Sequence, residues 1–591
     1  MCRFASVSVF ARVRSSTRAD TLPVSHHARG SIGHEPFDSS TTGVREGQPV
    51  TEPDGPEKTA MPGHVFIVRG DLRKLACDAR LIPCSRQARP RGKWFLPDFD
   101  GPRQGTPFAD GGPRVQPLPD PVPSRPREWI GLIGQWGQPV SWYGDGAAEF
   151  LDAAADAIVA AGGPPLFGRA RPLLALPVVG TGYGGAAEMA GEVVQELLPR
   201  LKAFAARTFP GGATFDVALV CFDAATHAAA QAERVRSADW PTDLTDSHRA
   251  EADRLAGHAL RGELALFLGA GVSVAAGLPS WGGLLTELAV RAGMAADERD
   301  ALGELRSALD QATVVERRLQ AGGRTIGRAV ADILGPHRHY ALAHALLAAL
   351  PVREAITTNY DRLFEDAWGL SDPDGLAILP GTIRPDARRW LLKMHGCLSD
   401  PDRVVLTRSS YTRYDEQLPA LSGMVQAFLV TRHVLFAGFS LTDDNFHRIV
   451  DAVRRLRGDG SPGHLGTALS LGSGGLAEVL WERDVRRVRM SESKEAAAGF
   501  PFAEAARRLE VFLDYLVSRT RDAAHLLVGE RFDPLLTAGE RTLRDALARF
   551  AADVTGEHAA AVRGTVAWPR VERLLRGLGF EPPADAGTRA E

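Results

Sequence analysis

Between residues 264 and 441 the chain holds four short apolar runs that each stop abruptly at small or polar residues. Residues 264–268 run into Gly269-Ala270-Gly271-Val272-Ser273, and 355–357 into Thr358-Asn359-Tyr360-Asp361. Residues 390–394 lead into His395-Gly396. Residues 434–437 lead into Gly438-Phe439-Ser440-Leu441, with Asp443 and Asp444 opening a helix. Short, continuous apolar runs bounded by turn residues suit strands buried on both faces. In a parallel sheet the ligand crevice lies outside the carboxyl ends of the strands, so four polar strand ends can converge. A Rossmann-like parallel sheet is therefore expected over 251–520. The glycine spacing at 269–273 is not that of the dehydrogenase fingerprint, G-x-G-x-x-G.

A second glycine loop lies upstream. Residues 64–68, 79–82, 173–179 and 215–222 read as buried strands. The third runs into Gly180-Thr181-Gly182-Tyr183-Gly184-Gly185, and residues 188–205 then carry apolar side chains at helical spacing. Strand, glycine loop and helix in that order bring backbone N–H groups toward an anion at a helix start. Between Pro90 and Pro126 ten prolines accumulate, which predicts an extended or disordered insertion over 86–127.

At 591 residues, two or three domains are expected. The boundaries read as a leader over 1–60, a first block over 61–236, a linker over 237–250, a second block over 251–520 and a helical region over 521–591. The leader lacks periodicity, and Met61 precedes the first strand. The last region is expected to cap the preceding domain, with self-assembly as its alternative role. Lys and Arg number 69 against 72 Asp and Glu, which removes the simple electrostatic case for nucleic acid or anionic membrane. The apolar run 264–279 is broken by glycines and too short to span a bilayer. Five cysteines, none at knuckle spacing, exclude a disulfide scaffold and a cysteine-built zinc site. No secretory pattern stands at the amino terminus, so a cytoplasmic protein is expected.

The order Gly70-Asp71-Leu72, Asp78-Ala79 with Pro83, then Leu176-Pro177-Val178-Val179 and the loop 180–185 resembles a macro domain. That resemblance implies a mixed-sheet fold that binds ADP-ribose. Asp71 would contact adenine, and Gly180, Thr181, Gly182 and Gly184 would wrap the diphosphate, with Tyr183 beside the distal ribose. Family members that hydrolyse ADP-ribosyl bonds carry Asn-x-x-Asn after the second strand, where this chain has Ile82 and Ser85. A binding module, not a hydrolase, is expected.

The four strand ends of the second block, in their order, resemble the sirtuin family. The variants Gly277-Leu278-Pro279-Ser280-Trp281, Thr357-Thr358-Asn359-Tyr360-Asp361, Lys393-Met394-His395-Gly396 and Gly438-Phe439-Ser440-Leu441 are most similar to sirtuin-like NADase domains of bacterial anti-phage defence proteins, as in Thoeris systems. The resemblance implies that Gly269, Ala270, Gly271 and Ser273 cradle the phosphates of NAD+, with Ser440 lining the adenosine side and Gly438 a further cofactor-binding residue. Asn359 would hold the nicotinamide ribose and the attacking water, Asp361 the carboxamide region, and His395 would be the general base. Deacylating sirtuins hold zinc on two Cys pairs within this interval, where only Cys397 stands here.

Together these readings imply an NAD+ hydrolase that uses no metal and acts in abortive infection. They imply a homo-oligomer switched on by an ADP-ribose-derived nucleotide at the macro-like block. A sirtuin-type protein ADP-ribosyltransferase and a non-catalytic nucleotide-binding scaffold are the alternatives.

Overall fold

The computed structural model describes residues 61–96, 103–119, 125–182, 184–237, 243–370, 375–381, 383–458, 463–473, 475–491, 502–521, 523–527, 529–555 and 559–579. The expected leader and Tyr183 lie outside them. Two sheets organise the chain, one mixed and one wholly parallel, so the fold is α/β with a Rossmann-like second sheet.

The first sheet comprises β1 (Val65–Arg69), β2 (Ala79–Pro83), β3 (Val115–Pro117), β4 (Arg127–Gly131), β5 (Leu173–Pro177) and β6 (Asp216–Cys221). Its order is β1-β6-β5-β2-β4-β3, parallel except for β3 against β4. Helices Val140–Ala161 and Ala190–Ala205 bury an apolar cluster against it, including Phe150, Leu151, Val193, Leu197 and Leu201.

The expectation for 86–127 is corrected here. Its described residues fold back: β3 pairs with β4, and Phe95, Phe108 and Leu118 are buried with Ile82, Ile130 and Leu132. A few large apolar side chains outweigh the proline content, because each buries enough surface to order its neighbours (about 2 kcal/mol per side chain).

The second sheet comprises β7 (Leu264–Leu268), β8 (Glu354–Thr357), β9 (Leu376–Leu379), β10 (Arg389–Lys393), β11 (His433–Ala437), β12 (Gly466–Ser470) and β13 (Val485–Arg489). Its order is β13-β12-β11-β7-β8-β10-β9, all parallel. The four apolar runs of the sequence are thus the four adjacent central strands β11, β7, β8 and β10. The chain leaves β7 toward β8 and later returns to β7's other side as β11. That reversal of strand order is a topological switch point, where a crevice opens.

Helix Asp246–Leu260, capped by Thr245, starts inside the span read as linker. A single apolar cluster includes Phe66, Val68, Ala218 and Val220 of the first sheet with Leu255 of helix Asp246–Leu260 and Leu264 and Leu266 of the second sheet. Helix Phe502–Arg519 seals the junction with buried polar contacts: Asp514 pairs with Arg234 and hydrogen-bonds His64, and Asp216 pairs with Arg507 and Arg169.

The carboxyl-terminal region corrects a second expectation. Leu526, Leu527, Phe532, Leu535 and Leu536 pack on Ala190, Ala228, Ala229 and Ala232 of the first lobe, not on the domain that precedes them in sequence. The alanines of helix Ala224–Arg236 present a flat surface, and Gly191 lets the chain at Phe532 approach closely.

Candidate active site and ligand cleft

At the switch point the ends of β7 and β11 cross in near contact. The Gly271 amide donates to the Gly438 carbonyl at 2.9 Å. Gly438 adopts φ +62°, and a Cβ there would lie 2.4 Å from the Val272 nitrogen. Glycine is therefore required for the crossing of two backbones. Ala270 is half-buried and Gly271 exposed, so the crossing faces the crevice mouth.

Beside it, β8 delivers Asn359. Thr357 Oγ1 donates to the Leu268 carbonyl and accepts the Asn359 amide, tying the ends of β7 and β8 together. The Asn359 side chain is buried, and its Nδ2 donates to the Gly269 carbonyl and to Ser273 Oγ, both at 3.2 Å. Both amide hydrogens are thereby used. Asn359 Oδ1 is buried with no hydrogen-bond partner among the described residues. A buried acceptor left open costs free energy, about 1–3 kcal/mol, and marks a place where a ligand or water is received.

Ser273 is the hub of this end. Its hydroxyl donates to Asp361 Oδ2 at 2.9 Å and accepts from Asn359. It also lies 3.3 Å from Nε2 of His344. His344 Nδ1 accepts the Ala341 amide at 3.1 Å, so the proton sits on Nε2 and points to Ser273. Burial pushes His344 down to about 4, with Asp361 partly offsetting it, so the ring is neutral near pH 7. Asp361 Oδ1 accepts the Leu363 amide, and the buried Lys393 donates to the Asp361 carbonyl and to Glu365. The carboxylate of Asp361 therefore faces Ser273, a serine it helps to orient.

One strand further, β10 delivers His395. Its carbonyl accepts the Val405 amide, and Gly396 turns the chain at φ +89°. The ring is 2 % exposed. Its Nε2 lies 3.3 Å from Asp443 Oδ2, and Tyr411 donates to the same oxygen at 2.7 Å. Asp443 Oδ1 caps helix Asp444–Arg457 by accepting the Phe446 amide. Burial lowers the basicity of His395 and Asp443 partly restores it. The hydrogen-bond partner of Nε2 is the Tyr411 hydroxyl, at 3.4 Å; since that hydroxyl donates to Asp443, Nε2 carries the proton, and Nδ1 keeps a lone pair that can take another.

The structure thus brings Asn359, Asp361, Ser273 and the loop 269–271 into one hydrogen-bonded cluster, with His395 two residues past the adjacent strand. Ser440 stands apart: it is exposed, and among the described residues its hydroxyl meets only Thr442, at 2.6 Å. Sequence reasoning missed His344 and Tyr411 and saw in Asp443 only a helix start. The signal for His344 was a lone polar residue within an apolar helical stretch, Leu342–Ala348, which needs a buried partner.

In the first lobe a cleft of about 650 Å³ opens at the carboxyl ends of β1, β2, β5 and β6. Asp71, Gly180, Thr181, Gly182 and Gly184 all line it, as does Ser85, whereas Ile82 is buried within β2. Gly180 adopts φ +77°, and a Cβ there would strike the Tyr143 ring at 2.5 Å. Tyr143 in turn donates to the carbonyls of Gln135 and Gly184, buttressing the loop from behind. The Asp71 carboxylate is engaged by Arg73, at 2.6 Å and 2.9 Å. Phe222, missed as a site residue, is 63 % exposed at the lining, an aromatic face open to a planar ring. Arg89, Arg91 and Lys93 of the insertion line the same cleft.

Among the described residues no group of three or more His, Cys, Asp or Glu could hold a metal ion, and no helix is long and apolar enough to cross a membrane.

The SIR2-like domain family matches residues 353–484, from the start of β8 to the end of the turn before β13. The chain is similar to NAD(+) hydrolase ThsA of Enterococcus faecium, 30% identical over 202 residues, 33% of this chain and 40% of that protein. It is similar to NAD(+) hydrolase ThsA of Bacillus cereus (strain MSX-D12), 32% identical over 200 residues, 32% of this chain and 40% of that one. Defense-associated sirtuin 2 of Bacillus subtilis is 29% identical over 121 residues, 20% of this chain and 12% of that protein. The alignments thus span about 40% of the length of the ThsA proteins.

Proposed function

We propose that this chain, whose residues 353–484 match the SIR2-like domain family, hydrolyses NAD+ to ADP-ribose and nicotinamide as a defence effector. The observation that carries the reading is the open acceptor Asn359 Oδ1, fixed by two donations from its own amide nitrogen beside a loop of close-packed glycines. Cleavage of the glycosidic bond develops positive charge on the ribose as nicotinamide departs neutral. Asn359 Oδ1 accepts a hydrogen bond from the attacking water or a ribose hydroxyl and sets its position, and His395 Nδ1 takes the proton released. The balance is NAD+ and water giving ADP-ribose, nicotinamide and one proton.

In this reading the loop 269–273 and Gly438 receive the phosphates, with Ser440 at the rim of the adenosine side. The first-lobe cleft receives an ADP-ribose-derived nucleotide as an activating signal, with Asp71 at adenine and the loop 180–184 at the diphosphate. The effector acts in the cytoplasm as a homo-oligomer.

Nicotinamide release from NAD+ by the purified chain tests the proposal, with Asn359→Ala and His395→Ala alongside and ADP-ribose added or omitted. Turnover that both substitutions reduce by roughly 100-fold or more supports it. An inert wild type, or variants that match wild type, sink it. ADP-ribose label appearing on protein instead of in solution favours the transferase.

A further inference from the structure

We propose that Tyr340 is a positioning residue that couples occupancy of the first-lobe cleft to the Asn359 site. The inference rests on reading that cleft as a nucleotide site.

Tyr340 precedes helix Leu342–Ala348 and is fully buried. Its hydroxyl accepts the Asp71 amide at 2.6 Å and donates to the Asp71 carbonyl at 3.2 Å. Its own amide donates to the Lys74 carbonyl, and its carbonyl accepts the Ala76 amide, which forms a parallel bridge opposite Leu75. A Cβ on Gly70 would lie 2.9 Å from the Tyr340 oxygen. The turn Leu72–Lys74, with the cleft-lining Asp71 and Arg73, is therefore bound to Tyr340 on both of its sides.

The opposite end of the connection is equally short. Ala341, the next residue, donates its amide to His344 Nδ1, and His344 Nε2 faces Ser273 Oγ. Ser273 in turn holds Asn359 and Asp361. From the Asp71 backbone to the Asn359 amide every link is a buried hydrogen bond, one buried side chain or one peptide unit. Closely packed interiors shift between discrete arrangements and do not absorb displacement gradually, so movement of the turn is passed on.

Other contacts between the sheets are poorly placed for this role. His64 with Asp514 and Asp216 with Arg507 lie at the amino ends of β1 and β6, away from the cleft. Lys74 with Asp366, at 3.1 Å, is nearer but partly exposed and reaches no residue of the Asn359 cluster.

When a ligand draws Asp71 or Arg73 into new contacts, the turn moves and Tyr340 with it. The Ala341 amide then releases or tightens the His344 ring, and Ser273 resets the Asn359 amide. The coupling is reciprocal in binding free energy, as linkage requires.

Hydrogen–deuterium exchange of the full chain, with ADP-ribose as the probe, tests the proposal. In wild type, ADP-ribose should slow exchange at 178–186 and change it about fivefold or more at 341–348. In Tyr340→Phe, which keeps the ring and loses the hydroxyl, 178–186 should still be protected while 341–348 stays as in the free protein. Protection of the loop in wild type without a change at 341–348 overturns the coupling and leaves the cleft reading intact. So does a Tyr340→Phe protein that retains the change. Absence of protection at 178–186, or protection at 269–273 alone, overturns the nucleotide reading of the cleft and the coupling with it. The wild-type arm decides by itself should Tyr340→Phe fail to fold.

Discussion

Asp443 Oδ2 and His395 Nε2 lie 3.3 Å apart across the ends of β11 and β10, with Tyr411 donating to the same carboxylate oxygen. The carboxylate opposes the loss of basicity that burial imposes on His395. Asp443→Asn should therefore lower the His395 pKa further. With the neutral ring as the active form, the acid limb of a kcat/KM profile should move to lower pH. The maximal rate should fall by roughly 10- to 100-fold, because the base is weaker and less well oriented. A limb that stays in place or moves upward would show that Asp443 only caps its helix.

Ser273 bears on the same site from the other side. Ser273→Ala removes an acceptor for Asn359 and His344 and a donor for Asp361 at one stroke. Each buried group left alone costs about 1–3 kcal/mol. The variant should unfold at lower urea, and its kcat should fall by about tenfold or more as the Asn359 amide loses its fixed direction. Unchanged kcat at full folding would mean that Ser273 does not orient Asn359.

The four central strands were legible because each is largely buried on both faces and reads as a mainly apolar run, interrupted in β10 by the buried Lys393. Asn359 and His395 were legible for the same reason, as the polar residues at which those runs stop. His344 was not, since it stands 71 residues from Ser273 and nothing local says which hydroxyl it meets. Phe222 hid at the end of an apolar strand, where its exposure depends on the neighbouring loop. The insertion and the carboxyl-terminal helices misled because proline content and sequence adjacency say little about which distant surface a few Phe and Leu side chains will cover.

His344 makes stability depend on pH. Burial holds its folded-state pKa at about 4, below the ordinary 6.5 that the unfolded chain keeps. Above 6.5 neither state is protonated and the stability is complete. As pH falls from 6.5 toward 4 the unfolded chain gains a proton that the folded one refuses, at about 1.4 kcal/mol per unit. His344→Gln should therefore lose roughly 2 kcal/mol less than wild type between pH 7 and pH 5 in urea titrations. Equal losses would place the acid sensitivity elsewhere.

Gly438 bears strain on any other residue. At φ +62°, with the Val272 nitrogen 2.4 Å from the place of a Cβ, Gly438→Ala must push β7 and β11 apart. A cost of about 3 kcal/mol or more is expected, with loss of NAD+ turnover. Gly282, inside helix Trp281–Arg291 with nothing within 4 Å of its Cβ position, is the control. Gly282→Ala should be stabilising by about 0.5–1 kcal/mol. Thermal melting separates the two, and equal midpoints would refute the argument from backbone crossing.

Arg507 tests how firmly the two sheets are joined. Asp216 is fully buried, and Arg507 donates to both of its oxygens, while Arg169 and the His64 amide complete its shell. These cations hold the Asp216 carboxyl below its ordinary range in spite of burial, so it is ionised in the folded protein. Arg507→Met retains most of the apolar stem and removes the charge. It leaves Asp216 and Asp243 short of a partner, and truncating one member of such a buried pair costs about 3–5 kcal/mol. Pairing the change with Asp216→Asn should recover a good part of that loss, because the buried charge disappears with its partner. Guanidinium unfolding of the single and double variants measures the difference. A double variant no more stable than Arg507→Met alone would mean that helix Phe502–Arg519 is held by its apolar face and not by this ion pair.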